Sequence, residues 1–203
     1  MYKFVNILCL TFVLSVSIFA QTNTDEYKKN EFYVGYSNQQ VDTGNYSTLN
    51  GFEGSYVRNV HRYFGIKGDV SGTYKNRKNS FTTNNNTISF EQNRAVYNFL
   101  GGVQIKDNSS DAKVKPFAHV LAGVGNVRNK TKNYACTGPN CPTFVNLNGT
   151  FSETGFASAV GGGLDIKIND KIDFRAIQVD YNPIRNGGST MDNVRFGIGV
   201  VFK

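Results

Sequence analysis

The sequence predicts an all-β chain, an eight-stranded antiparallel up-and-down transmembrane β-barrel with short periplasmic turns and long extracellular loops. Apolar residues recur at every second position in eight separate segments, and no stretch has convincing helical periodicity. The connections between those segments alternate short and long, which marks an outer-membrane barrel and is not expected of a soluble sandwich. Residues 1–20 carry Lys3 ahead of an apolar run from Phe4 to Ala20 with no acidic residue, the pattern of a secretory signal peptide.

That run is short for a spanning helix, and polar QTNTDEYKKN follows Ala20, so cleavage after Ala20 is expected. Cys9 lies inside the run, which excludes a lipoprotein signal. The organisation expected is a signal peptide at 1–20, a short periplasmic tail at 21–30 and a barrel at 31–203. The formal charge of +7 becomes +6 when the segment holding Lys3 is removed. A basic exported surface suits phosphate-rich lipid and argues against nucleic acid as a partner.

Strands are expected near 31–37, 50–59, 63–75, 92–106, 114–127, 153–167, 171–182 and 193–202. VHR at 60–62, DNSSDA near 107–112 and INDK at 168–171 are the short turns. Longer polar loops fall near 38–49, 76–91, 128–152 and 183–192. The third strand has the clearest faces, with Phe64, Ile66, Val70 and Tyr74 on one side and Lys67, Asp69, Ser71 and Thr73 on the other. Turning Lys67 to the lipid midplane would cost about 2 to 4 kcal/mol, so the charged face must look into the lumen. The same rule sends Tyr97, Phe99, Val103, Ile105, Val160, Leu164 and Ile166 outward. The seventh strand breaks parity, since Phe174 and then Ile177, Val179 and Tyr181 are its apolar positions. Either a β-bulge near Arg175 restores the faces, or Arg175 snorkels from the lipid side at the periplasmic rim.

Eight strands leave an interior that side chains can fill, so inward charges need partners there. A last hairpin symmetric about residues 187 and 188 places Asp180 opposite Arg195. Glu53, Lys67 and Asp69 form a second expected cluster, and Asp165 with Lys167 a third near the periplasmic rim. On the closing strand, Val194, Phe196, Ile198, Val200 and Phe202 face lipid, and this strand is expected to pair with EFYVGYS at the start of the barrel.

Cys136 and Cys141 bracket TGPN and, in an oxidising compartment, form a disulfide that staples a loop tip. Zinc would need four ligands, and no His or second Cys pair lies nearby in sequence. The glycines of GVGNVR and GGGLD sit in a β context, whereas a phosphate loop must open a helix. No cofactor motif is present. A lipocalin-like barrel should have an apolar lumen, and the chain lacks any Trp for that family's first-strand motif.

ETGFASAVGGGLDIKINDKIDFRAIQVDYNP followed by NVRFGIGVVFK, together with PFAHVLAGVGNV at 116–127, resembles the OmpA-like family of small outer-membrane β-barrels. The resemblance implies an eight-stranded barrel inserted in a bacterial outer membrane. It does not imply anchoring to the cell wall, because the chain stops at residue 203 without room for a peptidoglycan-binding domain. The family usually ends on an aromatic; here Phe202 is penultimate and Lys203 last. Two enzyme families share this scaffold, the lipid A palmitoyltransferase and the lipid A deacylase, and both use a His with Ser and an acid. His61 falls in a periplasmic turn and His119 mid-strand without nucleophile or acid beside it, so a non-enzyme is expected and His119 reads as an interior hydrogen-bonding residue.

Function should reside in the loops. Lys75, Arg77 and Lys78 begin the second long loop and Arg128, Lys130 and Lys132 the third, where strands leave the outer leaflet. These six cations are expected to bind phosphates of lipopolysaccharide, leaving the loops free for a surface ligand or host partner. The role expected is structural or surface-interacting, in a monomer. A narrow porin-like channel for ions or small solutes is the alternative.

Overall fold

A computed structural model of the chain describes residues 27–41, 47–109, 111–139, 141 and 148–203. The expected signal peptide and most of the tail lie outside the described residues. The strands are β1 (Asn30–Val41), β2 (Ser47–Asn59), β3 (Phe64–Thr83), β4 (Asn86–Lys106), β5 (Val114–Thr137), β6 (Gly149–Lys167), β7 (Ile172–Tyr181), β8 (Ile184–Asn186), β9 (Ser189–Met191) and β10 (Asn193–Phe202). Each long strand pairs antiparallel with the next, β5 pairs with β6, and β10 returns to β1, so β1 to β7 and β10 form a closed ring of eight. At the seam Phe32 faces Phe202, Val34 faces Val200 and Tyr36 faces Ile198. Closure leaves no sheet edge within the ring, which is what lets a sheet exist in hydrocarbon.

The alternation sorts side chains opposite to a soluble protein. On β3, Lys67, Asp69, Ser71 and Thr73 are buried while Phe64, Ile66, Val70 and Tyr74 lie outside. Phe99, Val103, Ile105, Val160, Leu164, Phe196, Ile198 and Phe202 likewise stand on the outer surface. A belt of large apolar side chains around a polar interior is stable only in lipid.

Two corrections concern the strands. The segment expected as a loop at 76–91 is a hairpin that prolongs β3 and β4. Asn84 and Asn85 form its two-residue turn with φ of 48° and 64°, the left-handed values that such a turn requires and Asn tolerates. Its polarity hid it, because outside the membrane neither face of a strand must be apolar. β5 and β6 extend in the same way through parts of the expected loop at 128–152. β4 and β5, at 21 and 24 residues, are about twice the length of β7 and β10, at 10 each, so one side of the ring projects as a sheet beyond the outer rim. The fourth loop contains the short β8–β9 hairpin, which turns at Gly187 and Gly188.

β7 carries a bulge. Asp165 pairs with Arg175 and Leu164 with Ile177, which leaves Ala176 as the extra residue. Residues on both sides of it keep their apolar members outward, and Arg175 is buried at 1% exposure. The bulge reading of the parity break therefore holds, and snorkelling from the lipid side does not. Deleting Ala176 should give an unbroken period-two strand in which Asp173, Arg175, Gln178 and Asp180 all still face inward. Unfolding free energy measured by urea titration in lipid vesicles should then stay close to the parent's. A fall of about 2 kcal/mol or more, the size expected when a charge is turned to lipid, would mean that the bulge is needed to keep Arg175 inside.

Candidate functional site: a filled lumen and a basic rim

The lumen is built in layers by inward positions of all eight ring strands. Nearest the periplasm, Lys106 Nζ donates to Glu31 Oε2 (2.7 Å) and Asp165 Oδ2 (3.2 Å). Asp165 also receives both Nε (2.8 Å) and Nη2 (3.1 Å) of Arg175. The Arg175 guanidinium lies between the rings of Tyr33 and Phe117, 4.4 and 4.0 Å from their centroids, a geometry that adds cation–π attraction where water is excluded.

The next layer centres on Arg195. Its Nη2 meets Asp180 Oδ2 at 2.7 Å and Glu53 Oε1 at 3.5 Å, and its Nη1 donates to Asp69 Oδ1 (2.8 Å) and Ser71 Oγ (3.0 Å). Gln178 Nε2 donates to Glu53 (2.6 Å) and Asp180 (2.8 Å). Lys67 Nζ lies 3.7 Å from Asp69 and 3.3 Å from His119 Nδ1, while His119 Nε2 lies 2.9 Å from Asp180. An ammonium has no lone pair, so Nδ1 accepts from Lys67 and the ring proton sits on Nε2 toward Asp180.

Toward the outer mouth the chemistry changes. Thr73 donates to Gln39 (2.9 Å) and Asn98 to Ser71 (3.2 Å). Beyond them Val41, Leu49, Val96, Leu100, Leu121 and Val127 pack with Ala157 and Ala159 into an apolar plug. Ile184 of β8 completes it, fully buried and paired in register with Ala157, with Met191 packed against it. The fourth loop thus inserts a side chain into the barrel mouth. It is clamped by Asn182 Nδ2 to the Ser158 carbonyl (2.7 Å) and Asn193 Nδ2 to the Asn182 carbonyl (2.9 Å).

The structure places the residues singled out from sequence as follows. Asp180 lies opposite Arg195 in the β7–β10 register, and Glu53, Lys67 and Asp69 join that pair in one network where two separate clusters were expected. The expected pairing of Asp165 with Lys167 is corrected. Same-face neighbours on one strand lie two residues apart, whereas Arg175 is directly across from Asp165 and takes its carboxylate. Lys167 leaves the lumen for Asp111 and Asp170 at the periplasmic rim, both at 2.9 Å. Arg175, left open between two readings of the sequence, completes the lower layer together with Lys106 and Glu31, which the sequence reading did not place there. The broken parity of β7 was the signal for Arg175, and the outward Ile105 was the signal for Lys106. Lys203 turns inward and donates to Asp173 (2.7 Å). His61 accepts the Tyr63 amide (3.3 Å) in the β2–β3 turn. Cys136 and Cys141 form a disulfide.

The six rim cations divide between two faces of the projecting sheet. Lys78, Arg128, Lys130 and Lys132 share the register face that continues the lipid belt, whereas Lys75 and Arg77 lie on the opposite face, which continues the lumen. Tyr74 and Tyr97, edge to face at 5.6 Å, floor an outward groove of about 270 Å³ flanked by Asn76, Asn93, Arg128 and Lys130. Lys78 is paired with Glu91 (3.5 Å); among the described residues the other five make no ion pair.

A closed ring of eight strands with an apolar outer belt and a filled polar interior is a small transmembrane β-barrel. The chain belongs to the family described as outer membrane protein beta-barrel domain, matched over residues 7–203. It is similar in fold to Ail, the attachment invasion locus protein of Yersinia pestis, solved in complex with the heparin analogue sucrose octasulfate. That comparison has 17% identity and a TM-score of 0.58, and covers 85% of this chain and 97% of that one. It is also similar to Neisserial surface protein A, at 11% identity and a TM-score of 0.53, covering 87% and 97%. No curated protein matches in sequence.

Arg195→Met would leave three buried carboxylates facing one another, and should lower unfolding free energy in vesicles by about 3 to 5 kcal/mol. Lys167→Met should cause only a small, salt-sensitive change, because its partners are exposed. Hydrogen bonds from Lys167 hold the Asp111 and Asp170 carboxyls below the usual carboxylate range. Their contribution is therefore present at neutral pH and is lost only as pH falls through and below that range.

Proposed function

We propose that this chain is a non-enzymatic barrel of the bacterial outer membrane, exported by residues 1–20 and monomeric. Its role is structural or surface-interacting and is exercised through its outer surface. The filled lumen is the observation that carries this reading. The Arg195 network spans the interior, and the apolar plug with Ile184 closes the outer mouth, so a continuous water path would require both to rearrange. This speaks against the narrow channel. Against enzymatic action, both ring nitrogens of His119 are occupied by Lys67 and Asp180, and no hydroxyl is among its partners.

The surface reading is concrete at the outward groove. Arg128 and Lys130 stand beyond Tyr74 and Tyr97, where a barrel's aromatic girdle meets headgroups, and among the described residues no carboxylate pairs with them. Lipopolysaccharide phosphates are the anions at that height, and each Lys or Arg near an anionic surface contributes about 1 kcal/mol. Ail, of the same fold, was solved with a polysulfated sugar, which supports anion recognition by such a surface. The projecting sheet, with Lys75, Arg77 and exposed Phe81 on its other face, remains for an external partner.

Two measurements test the reading. The purified barrel should give no discrete conductance steps in planar bilayers, and reproducible steps would return the channel to first place. Replacing Arg128, Lys130 and Lys132 together by Gln should weaken lipopolysaccharide binding roughly hundredfold at low ionic strength, with the difference shrinking as salt is added. Lys75→Gln with Arg77→Gln should leave it unchanged. Equal loss in both sets would refute the assignment to the outward face.

A further inference from the structure

The periplasmic mouth contains a largely buried lysine that has no ion pair within the barrel's described residues. Lys115 is the second residue of β5 and shares the inward face with Phe117, His119 and Leu121, which leaves it only 7% exposed. Every other buried charged side chain among the described residues has an ionic partner at 3.7 Å or closer: Lys106 with Glu31 and Asp165, Arg175 with Asp165, Lys67 with Asp69, Arg195 with Glu53, Asp69 and Asp180, and Asp173 with Lys203. The Lys115 side chain makes no hydrogen bond and no ion pair among these residues.

Its surroundings sharpen the anomaly. Lys115 lines a cavity of about 80 Å³ with Lys28, Lys167 and Lys203, and the carboxylates in its wall are Asp111 and Asp170. Both are taken by Lys167 at 2.9 Å. Lys203, Lys106 and Lys167 repel the Lys115 charge. Asp173 is the carboxylate that attracts it most; its Oδ1 is bonded to Lys203, and its Oδ2 makes no hydrogen bond to Lys115. Asn108 also lines the cavity, with its amide Oδ1 buried and unpartnered; turned over, the same amide presents its Nδ2 donor. Its ammonium opens onto the cavity with no counter-charge bonded to it, so an anion entering there is attracted. The room left, about that of two or three waters, suits one small oxyanion.

We propose that this mouth is a binding site for a phosphate group, held by Lys115 from inside the barrel and by Lys28 at its exposed edge. At this height the group comes either from an inner-leaflet phospholipid headgroup or from free phosphate in the periplasm. The site is independent of the outer-rim reading and lies at the opposite end of the barrel.

The test uses the full chain in phosphate-free maltoside micelles, following amide NMR shifts of Ser109, Lys115 and Asp170. One arm titrates inorganic phosphate; the other adds short-chain phosphatidylglycerol to the micelles. Saturating shifts are expected in at least one arm, inorganic phosphate indicating the free ion and phosphatidylglycerol alone the headgroup. Lys115→Met should weaken the apparent affinity about tenfold, the size of one lost charge-assisted contact. Lys132→Gln at the other end should not. Heat-dependent gel mobility verifies that each variant is folded, and Lys28→Gln, which alters only an exposed side chain, supplies a second, smaller loss should Lys115→Met fold poorly. Absence of shifts in both arms, or wild-type affinity in the Lys115 and Lys28 variants, overturns the proposal.

Discussion

Arg195 meets carboxylates from three strands at the centre of the barrel: Asp180 on β7, Asp69 on β3 and Glu53 on β2. Because it sits on the closing strand, one guanidinium ties the end of the chain to strands placed early in the sequence. Its planar fork allows two carboxylates to be engaged from different sides at hydrogen-bonding distance, which a lysine ammonium could not reproduce. The network in turn constrains parity. With Asp69, Asp180 and Arg195 fixed inward, the period of two sends Val70, Val179, Phe196 and their alternating neighbours to lipid. Slipping any of these strands by one residue would both unpair a buried charge and expose it to hydrocarbon.

The same centre explains a backbone feature on β6. A Cβ at Gly161 would lie 2.2 Å from Asp180 Oδ1 and 2.2 Å from the Val179 carbonyl, so a side chain here would displace the carboxylate that receives Arg195 and press on the neighbouring strand. Glycine at this position leaves room for the network. The plug above solves a different problem: it fills the remaining inward positions with aliphatic side chains, of which Leu100, across from Asp69, and Leu121, the next inward residue after His119, border the charged centre. Ile184 comes from a loop, so closing the mouth depends on the fourth loop holding its place through Asn182 and Asn193.

What could be read from the sequence was whatever lipid enforces. β3 displays its two faces openly because each residue in the hydrocarbon belt must choose, and the Asp180–Arg195 pair followed from hairpin symmetry and parity alone. Above the rim that constraint vanishes. NSFTTNNNT pairs as a hairpin with no apolar face to announce it, and only its Asn turn hinted at the outcome. Arg175 was ambiguous for a local reason: one extra residue, Ala176, reverses parity, and a single sequence shows the reversal without saying which side of it faces in. Lys167 misled because shared parity says which face a side chain takes, not which of several carboxylates it reaches.

The distribution of charge follows from the same constraint. Inside the hydrocarbon layer each buried cation must be matched, and Lys67, Lys106, Arg175 and Arg195 are met by Glu31, Glu53, Asp69, Asp165 and Asp180. The matched interior contributes nothing to the positive balance of the chain, so that balance is carried outside the lumen core. Arg128, Lys130 and Lys132 stand at one end, and Lys28 and Lys115 at the other, without carboxylate partners among the described residues. A bilayer presents phosphate at both of its faces and none between them. A barrel with no net positive charge through its waist and basic at both rims therefore matches the membrane's own charge profile as well as its apolar thickness.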